Sequence, residues 1–139
     1  MSLYKNFKTD ESIEQSGVIL EYGVTDDNRP IRIRIARAGG GNARFAKLLE
    51  QKLKPHRRQI QNESLDESVA SSILREVYAE TVILGWENVQ DKDGKDLPFN
   101  KENCLQLLTD LPELFSDIRE QSTKVALFRA DIRELTAKN

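Results

Sequence analysis

The sequence predicts a mainly α, α+β fold: one N-terminal β-hairpin followed by about four amphipathic helices. Three observations carry this. In "IRIRIA", Ile31, Ile33 and Ile35 alternate with Arg32, Arg34 and Ala36, so one face of a strand is apolar and the other cationic. Upstream, "GVILEYGV" supplies a partner strand, and "TDDNRP" joins the two with Asp27 and Asn28, which tolerate the left-handed region, and Pro30, which presets its backbone. From residue 42 onward the apolar residues recur every three or four positions, the helical period.

Taken in order, residues 1–16 are polar apart from Leu3, Tyr4, Phe7 and Ile13 and read as an arm or a short helix. Residues 17–36 are the hairpin, which is marginal by itself, so other elements must cover its isoleucine face. "AGGGNARF" ends the alternation, and Asn42 is expected to cap a helix whose stripe is Phe45, Leu48, Leu49 and Leu53, disturbed at Pro55. Ser64 and Glu67 have capping-box spacing before a longer helix carrying Val69, Ile73, Val77, Thr81 and Leu84 and ending at Gly85. "WENVQDKDGKDLPF" is a connector, anchored by Trp86 and turned at Asp93-Gly94. Asn100 is placed to cap a short helix with Leu105 and Leu108. Asp110 and Glu113 form a second capping pair, with Pro112 in the first turn, where its missing N–H does little harm. Beyond them Leu114, Ile118, Val125, Phe128, Ile132 and Leu135 keep helical spacing almost to the terminus. The 139 residues are expected to form one domain: arm 1–16, hairpin 17–36 and helical region 42–138.

Hydrophobic residues are 38% of the chain and charged residues 32%, which suits thin amphipathic layers better than a thick core. The net charge of −2 provides no global field for nucleic acid or an anionic membrane. Cys104 is the lone cysteine, which excludes an internal disulfide and fits a reducing cytoplasm. With no basic-apolar leader and no apolar run near ~20 residues, a soluble cytoplasmic protein is expected.

"GGGNARF" invites comparison with a phosphate loop, but Gly39–Gly41 lack the spaced glycines and the following Lys-Ser/Thr, and a flexible strand-to-helix joint is favoured. Arg32, Arg34, Arg37, Arg44 and "KPHRRQ", which holds Lys54, His56, Arg57 and Arg58, make the first part of the chain basic. No aromatic platform interleaves these cations, so a solvated face, or a patch matching an acidic partner or the chain's own acidic half, is favoured over nucleic acid, and Arg32, Arg34, Arg57 and Arg58 are the candidate acidic-partner or phosphate contacts. "DKDGKD" has Lys95 where an EF-hand needs a ligand and Asp96 where it needs Gly, and a polar turn is the better account. Nothing around His56 and Cys104 supports a catalytic dyad, and Cys104 is expected to pack as a small apolar group. No catalytic residue, cofactor or metal is expected.

What remains is amphipathic helix in quantity, with a C-terminal stripe from Leu114 to Leu135 long for so small a core; such a face serves as an intramolecular core or takes a partner helix, and both are expected, the proximal part packed and the distal part shared. The segments "YKNFKTD", "IRIARAGGGNARF", "LREVYAETVILGWENVQDKDGKDLPF", "LLTDLPELFSDI" and "LFRADIRELTAKN", and above all the order GWE, D-x-DG, LPF, D-L-P-x-L-F and AKN, resemble the small tail assembly chaperones of tailed bacteriophages and prophages over nearly the whole chain. The resemblance implies a non-enzyme that coats the helical tape measure protein, keeps it soluble, helps bring tail tube subunits to it, and is absent from the finished virion. It makes Leu111, Leu114, Phe115, Ile118, Val125, Phe128 and Ile132 candidate client or self-association contacts. It also implies a second, longer product made by ribosomal slippage: Ala137-Lys138-Asn139 can be encoded GCA AAA AAC, which contains the slippery heptamer A AAA AAC, and the long form would recruit tube protein. The readings it leaves open are a virion structural subunit of the tail, tube or connector, and a small nucleic-acid-binding regulator working through the Arg32–Arg58 region.

Overall fold

The computed structural model describes residues 2–129. The predicted hairpin is present: β1 (Val18–Val24) pairs antiparallel with β2 (Pro30–Ile35), with Leu20 opposite Ile33 and Glu21 opposite Arg32. Asn28 takes the left-handed conformation in its turn (φ 68°). A network then ties this turn to the later connector: Arg29 meets Asp96 through two guanidinium nitrogens at 2.9 and 3.0 Å, and Asn88 donates to the Pro30 carbonyl at 2.7 Å.

A third strand, β3 (Ile83–Glu87), pairs antiparallel with the free edge of β2, giving the order β1-β2-β3. This corrects the expectation of a helix running to Gly85. "TVILGWE" is rich in β-branched and aromatic residues, and β2 offers it unpaired backbone groups. Between Arg34 and Ile35 the register slips, a bulge that leaves Leu84 and Gly85 together on the outer face while Ile83 and Trp86 flank them.

The helices differ from expectation mainly at their ends. The arm holds two short helices, α1 (Leu3–Phe7) and α2 (Glu11–Ser16), the second capped by Asp10. Next comes α3 (Ala43–Leu53), which Pro55 converts to a 3-10 turn over Lys54–His56 before α4 (Arg57–Gln61). The long helix α5 (Glu67–Thr81) is capped by Asp66, whose carboxylate accepts from Ser68 N–H; Ser64 instead lies over the Gln59 carbonyl, so the Ser64–Glu67 box does not form. Asn100 caps α6 (Lys101–Asp110) as expected, accepting from Asn103 N–H at 2.8 Å. Asp110 belongs to the last turn of α6, so α7 (Pro112–Ser122) starts on Pro112 with no side-chain cap.

The C-terminal stripe is not one helix. At the end of α7 the hydroxyls of Ser122 and Thr123 bond back to the Arg119 carbonyl, Ser122's own carbonyl accepts from Ala38 N–H, and Lys124 is extended. A 3-10 turn over Val125–Phe128 follows, and the Phe128 carbonyl accepts from Asp10 N–H at 2.8 Å, folding this segment against the arm.

The core lies between the isoleucine face of the sheet and helices α5, α6 and α7. Ile33, Ile35, Val82, Ile83, Cys104, Leu108, Phe115 and Ile118 meet there with Tyr78. Tyr78 takes Phe45 and Phe115 edge-on, with ring centroids 5.6 and 5.3 Å away. Trp86 anchors the connector as expected: its indole N–H donates to the Leu97 carbonyl at 2.7 Å, and Phe99 packs edge-on against it. Among the described residues no helix is long and apolar enough to cross a membrane.

Candidate partner-binding surfaces

The glycine-rich joint does hold an anion, and the anion is the chain's own. α2 delivers the Glu14 carboxylate, 2% exposed, into the loop over residues 37–41. One oxygen accepts from Arg37 Nη1 at 2.6 Å and from Gly41 N–H at 3.0 Å, and the other from the Thr9 hydroxyl at 2.9 Å. Gly40 is required here: its φ is +52°, and a Cβ would stand 2.0 Å from the carboxylate. Burial pushes the Glu14 carboxyl up, but the bonds from Arg37, Gly41 and Thr9 and the Arg37 charge together hold it below its ordinary value of 4.5. Bare amides suit an anion, as a phosphate loop's do; Glu14 uses them to fasten the arm to the end of β2.

Asn42 is buried and makes no cap bond. Its amide nitrogen donates instead to the carbonyls of Arg37 and Thr81, both at 2.9 Å, joining the loop to the end of α5.

The four predicted cationic contacts fall in two places. Arg32 lies on the outer face of the sheet between Glu21 and Glu87, at 3.3 and 3.5 Å, and Arg34 beside it donates to the Ser16 carbonyl at 3.2 Å. Arg57 and Arg58 are exposed on α4, away from the strands.

The C-terminal stripe is largely interior. Phe115 is 5% exposed and Ile118 and Phe128 are fully buried, while Leu114 and Val125 are half-buried. The sheet needs cover and α7 supplies it, so the proximal part of the stripe is packed within the chain, as expected, and the packing reaches Phe128. Leu111 alone among the described members is well exposed, at 47%. Ile132 lies outside the described residues.

Two grooves open on the helical side. The first, about 450 Å³, runs between α3 and α4 with an apolar floor of Phe45, Leu49, Leu53 and Ile60 and a charged rim of Glu50, Lys54 and Arg57. Residues on both sides of the Pro55 break line it, Phe45, Leu49 and Leu53 from α3 and Arg57, Ile60 and Gln61 from α4. The second, about 530 Å³, lies between α6 and the 90–97 connector; Leu97, Leu107 and Leu111 line it below Asp91, Asp93 and Asp110. Asp91 also organises the turn at Gly94, its carboxylate accepting from the Asp93 and Lys95 amides.

Cys104 is buried, and burial pushes its thiol up to about 12, so at neutral pH it is a packed apolar group. Among the described residues no cluster of His, Cys, Asp and Glu side chains is placed to hold a metal ion. The sequence pattern did not single out Glu14 or Ile60, and it gave Asn42 a capping role that the structure replaces with bonds to the Arg37 and Thr81 carbonyls. For Glu14 a signal existed, the acid four residues after Asp10 in an otherwise short helix facing a glycine run, but only the fold brings the two together.

The family model described as YdaY prophage protein matches residues 40–139, which span both grooves, β3 and the helices from α3 onward. No curated protein and no solved structure matches the chain.

Proposed function

The chain belongs to the YdaY prophage protein family, and from that premise we propose that it is a phage tail assembly chaperone: it binds the tape measure protein, keeps it soluble and helps recruit tail tube subunits. The observation that carries this reading is the α3–α4 groove, an open apolar trough on a chain of which 32% is charged. A helical client laid along it would bury anchors spaced three and four residues apart against Leu49, Leu53 and Ile60. Lys54, Arg57 and the neighbouring Arg58 would face acidic residues flanking those anchors.

The work is non-covalent, with no catalytic residue and no cofactor. It takes place in the cytoplasm of the infected or lysogenic host, and the chaperone leaves before the virion is complete. A longer product, made by slippage at the codons for Ala137–Asn139, carries the contact to tube protein.

The test uses the gene with its native downstream DNA and an N-terminal affinity tag, expressed beside the rest of the tail genes. Intact masses of the captured proteins should include the tape measure protein and a minor, longer form of this chain. Purified particles should contain neither form. Stoichiometric copies in the particles, with no tape measure protein on the tag, would instead mark a structural subunit of the tail.

A further inference from the structure

The described surface contains an apolar knob and a matching hole on different parts of the molecule. The knob is α1, where Leu3, Tyr4 and Phe7 are 76%, 83% and 66% exposed. These are large apolar side chains on a single short helix, and the only charges on that helix and its C-cap are Lys5 and Lys8. The arm that carries α1 is fastened: Asp10 N–H bonds to the Phe128 carbonyl, and Glu14 sits in the glycine loop. The knob is therefore presented from a firm base.

The hole is the groove of about 530 Å³ between α6 and the connector. That size is within the range of clefts that take a drug-sized ligand, about 300–1,000 Å³. Its floor is Leu97, Leu107 and Leu111, and Asp91, Asp93 and Asp110 outnumber Lys92 around its rim. A lysine-flanked apolar helix is complementary to it in both respects. The α3–α4 groove is a poorer host for the same helix, because Lys54 and Arg57 outnumber Glu50 on its rim.

We propose that α1 of one copy docks into the α6–connector groove of a second copy, so that the chain associates head to tail. Leu3 and Phe7, four residues apart on one side of α1, enter toward Leu107 and Leu111, while Lys5 and Lys8 face the aspartates. Knob and hole are different surfaces, so each bound copy leaves one of each free, and copies add in a row or close into a ring. A contact limited to one helix turn and one groove lies at the small, weak end of interfaces. This stands apart from the client groove and does not depend on the tail-assembly reading.

The test is sedimentation velocity of the full chain over a wide concentration range. The weight-average mass should rise with concentration, and the rise should shrink in high salt as the lysine–aspartate attraction is screened. Phe7→Glu spoils the knob and Leu111→Lys the hole, and each should weaken association at least about tenfold. Both positions are exposed, so circular dichroism should be unchanged. Mixed in equal amounts, the two variants have one intact knob and one intact hole between them and should form dimers and nothing larger. A wild-type chain that stays monomeric would overturn the proposal. So would association lost in Phe7→Glu but kept in Leu111→Lys, which would mean an α1–α1 contact. A monomer that uses Phe7 to bind anionic vesicles would assign α1 to lipid instead.

Discussion

At neutral pH the Glu14 carboxylate is held between Arg37 and the Gly41 amide with 2% exposure, so removing its charge leaves a half-buried guanidinium and an amide short of their acceptor. Glu14→Gln should cost about 3 kcal/mol at pH 7, in the range for breaking a buried pair from one side. The sign of the pH effect follows from the direction of the shift. With its native pKa below 4.5, the carboxyl binds protons more readily in the unfolded chain, so its contribution is complete above 4.5 and is lost as pH falls through the native value. Urea melts of wild type and Glu14→Gln should therefore differ most at neutral pH and converge in acid. A difference independent of pH would mean that packing, not charge, holds the arm. Asn42 makes a second residue-scale prediction. Its amide nitrogen faces two carbonyl oxygens, so Asn42→Asp would set a carboxylate against both and should cost about 2 kcal/mol or more, measured by the same melts.

Among the elements, α7 and α4 have opposite roles, and substitutions separate them. Ile118 on α7 is fully buried, and Ile118→Asp should destabilise the chain by more than about 3 kcal/mol. Ile60 on α4 is 42% exposed at the groove, and Ile60→Glu should change stability by no more than about 0.5 kcal/mol. Periodicity could not draw this distinction: it reports that Leu114, Phe115 and Ile118 share an apolar side, not whether the chain itself covers that side. The hairpin was legible because alternation in "IRIRI" admits one reading. β3 was not, because Leu84 falls three residues after Thr81 and so extends the helical spacing of α5, and five apolar-rich residues fit either period. What decides is the open edge of β2, a tertiary fact. The end of α7 was hidden for a similar reason, since Ser122 and Thr123 act through backbone bonds that no pattern displays. Asn42 is a cap-type residue at a helix start, yet its side chain is spent on the distant Thr81 carbonyl. The α3–α4 groove was half legible: the α3 stripe is plain in the sequence, but that Arg57 and Ile60 beyond Pro55 line the same groove is a property of the fold.

For the whole molecule, apolar surface is divided between a core under the sheet and separate patches on α1, the α3–α4 groove and the α6–connector groove. The proposed function and the proposed self-association both rest on these open patches, which a chain with 38% hydrophobic residues leaves uncovered by its own elements. Charge divides the patches further: Lys54 and Arg57 outnumber Glu50 around the α3–α4 groove, and three aspartates outnumber Lys92 around the other. The central claim is that the α3–α4 groove keeps a tape measure protein in solution. It is tested most directly by expressing the tape measure protein of the same tail locus alone, with this chain, and with its Ile60→Glu variant, and measuring the soluble fraction in each case. The tape measure protein should be insoluble alone and form a soluble complex with the wild-type chain, and that complex should be lost with a variant that remains folded. Solubility that is the same in all three, or rescue undiminished by Ile60→Glu, would contradict the claim.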